Sequence, residues 1–535
     1  MPHTVCAFVL AALSSASGCS SAANSDEFQV IDTDGEETTA GTTSGGSDTT
    51  GTESGETEGG DPTEGDPTDD GETDSSGEET GTTGPDEPVV PDPSMAEEFD
   101  GACGDESIVA ALRVPDTNGM TSPAHARGVV TSKSAPLMAV DIRPWEFLNY
   151  YSFDYPAAEP GNLAIVPELV VDPEDSSNYI LQVSVSSELR SNAERASANL
   201  ALVLDTSGSM EGPPLLMMQE SMRALASNLR LGDTVSLVTW SADEPLLARH
   251  SVIGANDPVV LEAIASLDTN GGSDLDAGLG RGYALVTDDY NVDALNRVVL
   301  VSDGSSKLED ATAELIGEYA DEIQLIGVGV GESGSFSDGL VHAAGAVGRG
   351  ASVFVGDSHE AWKIFGENFV QTIDVAARGL HINVELPPGL ALAGVFDDSQ
   401  STEDFSAGTQ DLAPNDTLIV RQSLELCGEG DLDGDEKLTV WIDYLDPVTD
   451  APVTAETTVA VADLLAGASH QADKATAVVG YARALELWSD PWQTTSEQRA
   501  AARQDALSAV TLALEVLPGD AELVEISAVL QALAG

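Results

Sequence analysis

Apolar residues occur in short runs without alternation through the middle of the chain, and amphipathic stretches separate these runs. The run ANLALVL, which ends at Leu204, is typical of a strand that is buried on both faces of a sheet. Five further strands are predicted on the same grounds, at Val235–Trp240, Leu246–Ile253, Arg297–Ser302, Ile323–Val330 and Ser352–Val355. Helices are predicted between them, at Pro213–Arg230, Asp257–Leu267, Asp274–Thr287, Glu309–Glu322, Phe336–Val347 and Glu360–Asp374. Strands and helices in turn predict an α/β fold over residues 198–375, with a doubly wound, mostly parallel sheet.

The pattern changes on both sides of this region. Residues 96–197 form an irregular flanking domain, with a predicted strand at Tyr179–Val185 and an aromatic cluster, WEFLNYYSFDY, at 145–155. Such a cluster can line a ligand groove, but aromatic residues more often pack in a core, and core is our prediction. Residues 376–465 contain strands bounded by Pro and Gly, which predict a small antiparallel β domain. Residues 466–535 predict a helical region, with helices at Lys474–Trp488, Glu497–Val516 and Ala521–Ala534.

The first residues are typical of a segment that directs export. The apolar run Val5–Leu13 is too short to span a membrane as a helix, and small residues precede Cys19. This arrangement over residues 1–19 resembles a bacterial lipoprotein signal, which implies lipid attachment at Cys19; ordinary secretion with cleavage nearby is the alternative. Residues 20–95 are mostly Gly, Thr, Ser, Glu, Asp and Pro, and predict a disordered acidic linker. We therefore expect an exported protein of the cell envelope, anchored by lipid to a bacterial membrane and facing the surface or the periplasm.

The chain is strongly acidic, with 92 Asp and Glu against 21 Lys and Arg and a formal net charge of −71. Such a field repels nucleic acid, so we expect no nucleic-acid partner. It favours divalent cations and basic partners, or it serves only solubility. Two cysteines, Cys103 and Cys427, lie beyond the predicted signal, and an oxidising compartment would let them pair. Two free thiols are the alternative.

Three loops of the α/β region carry oxygen ligands where predicted strands end or helices begin. The first, after Leu204, contains Asp205, Ser207 and Ser209; the second contains Ser273; the third contains Asp303. In parallel sheets, ligands bind at the carboxyl ends of the strands. Two carboxylates and three hydroxyls form a hard, all-oxygen set that selects Mg²⁺, Mn²⁺ or Ca²⁺ over Zn²⁺. Taken one at a time, these residues also suit turns and helix caps.

Other chemistry is poorly represented. The acidic loop at 430–435 has the Asp spacing of a calcium loop, but Glu436 and Ile442 stand where an EF-hand needs Gly and Glu, which predicts a hairpin turn. The sequence contains no G-x-S-x-G, no H-E-x-x-H and no phosphate-binding loop motif. His342 and His381 are expected to be packed or surface residues. We expect no enzymatic activity.

The three segments DTSGSM, NGGSD and LVSDG together resemble the metal-ion-dependent adhesion site of von Willebrand factor type A (vWA) domains. The resemblance implies that the ligands of a divalent cation are Asp205, Ser207, Ser209, Ser273 and Asp303. Ser273 stands where the family usually has Thr, so the hydroxyl is kept and the methyl that restricts its rotamer is lost. The segments WEFLNYYSFDYP and TVWIDYLDP also resemble the regions that flank the vWA domain in a group of exported bacterial proteins.

The resemblance implies a binding module that takes an acidic side chain of a protein ligand on the open position of its metal. Mg²⁺ is the expected ion, with Mn²⁺ or Ca²⁺ as alternatives. An envelope scaffold, in which the metal only stabilises the fold, is the alternative function.

Overall fold

A computed structural model of the chain describes residues 106–533, except 113, 115–116, 173–174, 176–177, 241–243, 270–271, 394–409, 428–431 and 433. The predicted signal and linker, with Cys19, lie outside the described residues, and so does Cys103. None of the helices in the described ranges is long and apolar enough to cross a membrane.

The strands of the described residues run through both flanks as well as the α/β region. They are β1 Ile108–Leu112, β2 Asn118–Gly119, β3 Ala164–Val171, β4 Tyr179–Ser186, β5 Ala198–Leu204, β6 Thr234–Thr239, β7 Leu247–Ser251, β8 Leu295–Ser302, β9 Gln324–Val330, β10 Arg349–Val355, β11 Ala377–Leu386, β12 Leu390–Leu392, β13 Gln410–Leu412, β14 Thr417–Leu426, β15 Lys437–Leu445 and β16 Pro452–Ala460.

The α-helices lie between and after these strands. They are α1 Thr121–Ser132, α2 Pro144–Tyr150, α3 Pro213–Ser227, α4 Pro258–Ala265, α5 Leu275–Asp288, α6 Asp310–Tyr319, α7 Gly339–Val347, α8 Ser358–Trp362, α9 Phe369–Ile373, α10 Val461–Leu465, α11 His470–Ser489, α12 Ser496–Val516 and α13 Ala521–Ala532. Short 3-10 helices occur at Leu137–Ala139 and Gly208–Met210, and a π-helical turn occurs at Lys363–Glu367.

The central sheet has seven strands in the order β2-β10-β9-β8-β5-β6-β7. All neighbours in it are parallel except β7, which pairs antiparallel with β6 at the edge. Every residue of β5 is buried, because α3 and α4 cover one face of the sheet and α5, α6 and α7 cover the other. The prediction of a doubly wound, mostly parallel α/β sheet is confirmed.

Helix α5 lies antiparallel to β5 and packs closely against it. Asn199, near the start of β5, donates a hydrogen bond through Nδ2 to the carbonyl of Val286 near the end of α5 (3.0 Å). Earlier in the helix, a Cβ placed at Gly282 would lie only 2.5 Å from a methyl group of Val203. The N-terminus of α5 therefore points toward the carboxyl end of β5, which places the loop before α5 at that edge of the sheet.

Strands from the two flanks of the α/β region share antiparallel sheets. Within the described residues, β1 pairs with β11 in a sheet that continues to β15 and β16. A second sheet has the order β12-β14-β4-β3, so β4 of one flank pairs with β14 of the other. Strand β2 adds to the edge of the central sheet beside β10. The domain boundaries drawn on the sequence remain predictions. The sheets, however, join strands of residues 96–197 to strands of 198–375 and of 376–465 by hydrogen bonds.

The aromatic cluster at 145–155 is core, as predicted. Phe147, Tyr150, Tyr151, Phe153 and Tyr155 are all less than a tenth exposed and belong to a core that includes the C-terminal helices. Phe147, for example, makes an edge-to-face contact with a tyrosine of α11 at 5.3 Å between ring centroids.

A buried ionic cluster joins the same flank to the α/β region. The fully buried carboxylate of Glu146 accepts hydrogen bonds from the backbone N–H of Ser122 (2.7 Å) and from Nε of Arg143 (2.7 Å). The guanidinium of Arg143 also pairs with Asp338, just before α7. Burial alone would raise the pKa of Glu146, but the positive charge of Arg143 lowers it to about 2.

The prediction of one closing helix over Glu360–Asp374 is wrong, since this segment contains α8, the π-helical turn and α9. The side-chain amide of Asn228 donates hydrogen bonds to the carbonyls of Phe365 (2.9 Å) and Gly366 (2.8 Å). Two carbonyls of the predicted helix thus accept hydrogen bonds from Asn228, the C-cap residue of α3. The regular series of hydrogen bonds in the predicted helix is interrupted at this point.

Two glycines of α5 test its packing. We expect Gly282→Ala to destabilise the protein by roughly 1–3 kcal/mol, because the new Cβ would overlap the buried side chain of Val203. Gly280 lies two residues earlier in the helix, and a Cβ there would meet nothing within 4 Å. Gly280→Ala should therefore stabilise the protein by about 0.5–1 kcal/mol. Urea unfolding of the two variants measures both free energies. Equal effects would contradict the close approach of α5 to β5.

Candidate metal centre

Two of the predicted ligand loops follow neighbouring strands of the central sheet. Strands β5 and β8 are parallel, with Leu204 opposite Val301. The pairing continues one residue further, since the backbone N–H of Asp205 donates to the carbonyl of Val301 at 2.9 Å. Asp205 and Asp303 therefore stand at the same carboxyl edge, on adjacent loops.

The carboxylate of Asp205 is completely buried. Its Oδ1 accepts from the backbone N–H of Ser207 (2.9 Å), and its Oδ2 accepts from the hydroxyl of Ser302 (2.8 Å). Burial raises the pKa of Asp205, and the neighbouring charge of Asp303 raises it further, while the hydrogen bonds from Ser207 and Ser302 oppose this rise. Among the described residues, no Lys, Arg or His side chain forms an ion pair with either carboxylate.

A chain of hydroxyls connects the two loops. The Oγ atoms of Ser207 and Ser209 are 3.1 Å apart, and those of Ser209 and Ser305 are 3.0 Å apart. The backbone N–H of Ser305 in turn donates to Oδ1 of Asp303 (2.9 Å). Ser209 is exposed, so the hydroxyl cluster extends from the buried Asp205 to the protein surface. Four of the five predicted ligands are therefore together: Asp205, Ser207, Ser209 and Asp303.

The loop that carries Asp303 requires glycine at its next position. Gly304 has φ of 77°, and a Cβ there would lie 1.7 Å from the carbonyl oxygen of Ser337. Its backbone N–H donates to the hydroxyl of Ser302 (3.1 Å), the same hydroxyl that bonds to Asp205. A glycine is thus needed for Asp303 to emerge beside Asp205.

Ser273 lies on the second loop, immediately before the helix-capping residue Asp274. The orientation of α5 places this loop at the carboxyl edge of the sheet, and Ser273 is exposed there. No described hydrogen bond joins Ser273 to the other four residues. Its role as a ligand stays a prediction. The side chain of Asp274 accepts from the backbone N–H of Ala277 (2.9 Å), so this neighbouring residue acts as a cap.

Helix capping does not explain the first loop. The next α-helix, α3, begins after Gly212 and has no side-chain hydrogen bond at its N-cap, and the 3-10 turn before it has none either. Asp205 does form a tight turn with Ser207, but its second oxygen is directed to Ser302 of the neighbouring strand.

The donor set fits a hard divalent cation. A buried carboxylate without a cationic partner, a second carboxylate on the adjacent loop and neutral hydroxyls between them match the oxygen ligands of Mg²⁺. A bound cation would also provide the positive charge that the surroundings of Asp205 lack.

Sequence reasoning missed two residues of this cluster, Ser302 and Ser305. Ser302 is the last residue of the buried strand β8, and a hydroxyl at the end of an apolar run was the signal available for it. Ser305 follows directly on the Asp303-Gly304 pair, and only the approach of the two loops shows that it meets Ser209.

The other predicted cation loop, at 430–435, includes 430, 431 and 433, which lie outside the described residues. Nowhere in the described residues, the candidate centre included, is a group of three or more His, Cys, Asp or Glu side chains arranged to hold a metal. Cys427 is disulfide-bonded, so the alternative of two free thiols is wrong for this residue. Its pairing with Cys103 stays a prediction.

Comparison with known proteins shows what the region around these loops is similar to. A family model described as "von Willebrand factor type A domain" matches residues 200–305, which include all three loops. The uncharacterized protein YfbK of Escherichia coli (strain K12) is 27% identical over 261 residues, which cover 46% of this chain and 45% of that protein. The uncharacterized protein sll0103 of Synechocystis is 25% identical over 272 residues, which cover 50% of this chain and 62% of that protein.

The chain thus spans only about half of the length of these curated relatives. A solved structure of a von Willebrand factor type A protein from Catenulispora acidiphila aligns with 66% of this chain and 86% of its own, at 15% identity and a TM-score of 0.41. The order of strands and helices, the three loops and the family match agree over the same residues. The chain therefore contains a von Willebrand factor type A domain.

Proposed function

We propose that this chain binds a protein ligand through a divalent cation held by Asp205, Ser207, Ser209, Ser273 and Asp303. The observation that carries the proposal is the buried carboxylate of Asp205, which has no cationic partner and is linked by hydroxyls to the surface. The cation would be Mg²⁺, with Mn²⁺ or Ca²⁺ as alternatives.

The choice of ligands determines what such an ion can do. Serine hydroxyls are neutral, so the protein supplies only the charges of Asp205 and Asp303. A Mg²⁺ ion keeps water where the protein provides no ligand. A carboxylate from an acidic side chain of a partner is then a favourable further ligand. Binding, rather than catalysis, is the function that this arrangement supports best.

The expected location also follows from the sequence. We propose export and a lipid on Cys19, which lies with the predicted linker of residues 20–95 outside the described residues. The disulfide of Cys427 is consistent with an oxidising compartment. The formal charge of −71 makes a nucleic-acid partner unfavourable.

The alternative function is an envelope scaffold in which the metal only stabilises the fold. The observation that favours it is the extent to which both flanks share sheets with each other and with the central domain. The two functions differ in whether the binding of a partner protein requires the metal.

Metal binding is tested by thermal unfolding with Mg²⁺ and with EDTA. Mg²⁺ at about a hundred times its Kd should stabilise the protein by roughly 2.7 kcal/mol, and EDTA should reverse this. Asp303→Ala should lose the response. Asp505→Ala, which removes an equal charge from an exposed position of α12, should keep it. A full Mg²⁺ response in Asp303→Ala would contradict the site.

Ser273 is tested separately, because its role rests on the loop position alone. Ser273→Ala should weaken Mg²⁺ binding about tenfold through loss of one oxygen ligand, and Ser273→Thr should preserve it. Titration calorimetry measures the affinities, with Ser508→Ala on the exposed face of α12 as the control. Unchanged affinity in Ser273→Ala would remove this residue from the ligand set.

Dependence of a partner on the metal separates the two functions. The full chain is immobilised and incubated with envelope proteins of its source cell, in Mg²⁺ and in EDTA. We expect proteins that are retained only in Mg²⁺, only by chains with Asp303 intact, and no longer after amidation of their carboxylates. Partners that persist in EDTA and with Asp303→Ala would support the scaffold and refute the binding module.

A further inference from the structure

The opposite edge of the central sheet contains a polar cleft that is remote from the metal ligands in the fold. Strands β8, β9 and β10 begin here, and Arg297, Gln324 and Arg349 line one wall. Gln410 and Asp411 of β13 line another wall. The cleft encloses about 540 Å³ when the open solvent at its mouth is counted.

Arg297 is the unusual residue of this cleft. Its side chain is buried, with only 6% of the residue exposed, and it donates through Nε to the carbonyl of Ile373 (2.8 Å) and through Nη1 to that of Asn296 (2.9 Å). Burial lowers its pKa to about 10. Within the described residues, no carboxylate lies within 4.0 Å of it, although a buried guanidinium normally has one, as Arg195 has in Asp233 at 2.6 Å.

The nearest acidic groups already have other partners. Asp374 forms an ion pair with Nη1 of Arg190 at 2.8 Å. Asp411 accepts hydrogen bonds from Nε2 of Gln324 (2.7 Å) and from the backbone N–H of Gly379 (2.9 Å). Their charges act on Arg297 only from a distance. The unused N–H groups of Arg297 therefore remain available to an anionic group from outside.

Two amide oxygens in the cleft also lack partners. Oε1 of Gln410 and Oδ1 of Asn118 are both buried without a hydrogen bond, and Gln410 is only 6% exposed. Unpartnered buried acceptors are rare, because nothing offsets the loss of their hydrogen bonds to water. Both residues line the same cleft as Arg297. The cleft thus presents a donor for an acid together with acceptors for a hydroxyl or amino group.

A second cavity lies next to the cleft; Tyr151, Phe153 and Lys363 are among its lining residues, and it encloses about 680 Å³ when open solvent is counted. The two cavities share Asn149 and Gln371, among other residues. The wall of this second cavity is partly aromatic, so an apolar side chain of a molecule whose polar end lies at Arg297 would meet apolar surface there.

We propose that this cleft binds a small organic carboxylate of the hydroxy-acid or amino-acid class. The guanidinium of Arg297 takes the carboxylate, and Gln410 and Asn118 accept hydrogen bonds from the hydroxyl or amino group. The site exists only because β2 and β13 of the flanks fold against the vWA domain, and it does not depend on the proposed metal.

Binding is measured by titration calorimetry and thermal unfolding on full-length Asp303→Ala protein in EDTA, so that no acid can bind through a metal. The probes are L-lactate, L-alanine and L-phenylalanine, each against its amide at matched ionic strength, and propionate, which lacks the hydroxyl. We expect at least one acid to bind at least tenfold more tightly than its amide, and lactate to bind more tightly than propionate if lactate is the binder. Failure of the Mg²⁺ response elsewhere leaves this result unaffected.

Variants assign the binding to the cleft. Arg297→Gln should abolish it, while Arg223→Gln on α3, where the side chain is more than a third exposed, should leave it unchanged. If Arg297→Gln does not fold, Gln410→Met takes its place and should weaken binding of the hydroxy or amino acid at least fivefold. Absence of any binder, equal binding of acid and amide, binding that survives both cleft variants, or a crystal structure with the probe that shows only water in the cleft would each overturn the proposal.

Discussion

The parallel pairing of β5 with β8 at the centre of the sheet is the constraint on which the rest depends. Because both strands are buried on both faces and end at the same edge, the residues that follow them must meet there. Asp205 is thereby placed under the protein surface, where its charge is costly unless something positive lies near. The hydroxyl of Ser302 and the backbone N–H of Ser207 stabilise it only in part. A carboxylate buried in this way fits the cation that we propose for this site.

The same pairing also orients the helices. Helix α5 packs so closely on Val203 that a glycine is needed at the contact, and the loop in front of α5 is consequently held at the ligand edge. Gly304 has the same function on the neighbouring loop, where a carbonyl leaves no room for a side chain. The geometry of the candidate site is therefore determined by close backbone approaches as much as by the ligands themselves.

Strands of both flanks lie at the edge of the central sheet that is opposite the candidate metal site. Their strands pair with one another across nearly three hundred residues of sequence, as β1 does with β11, and β2 extends the central sheet. The cleft around Arg297 arises at this junction, opposite the candidate metal site. One sheet thus has the buried guanidinium of Arg297 at one edge and the buried carboxylate of Asp205 at the other, and within the described residues neither charge has an ion-pair partner.

The sequence by itself determined the α/β class, most elements of the vWA domain and the residues of the first and third loops, because these depend on local patterns. Apolar runs predict buried strands, and Asp205 and Asp303 follow directly on two of them. Only the tertiary structure decided that Ser302 bonds to Asp205, that Ser305 reaches Ser209, and that the closing helix is interrupted where Asn228 binds its carbonyls. It also decided the shared sheets of the flanks and the isolation of Arg297. These features depend on contacts between distant segments, and no local periodicity of the chain records which distant partner a residue will meet.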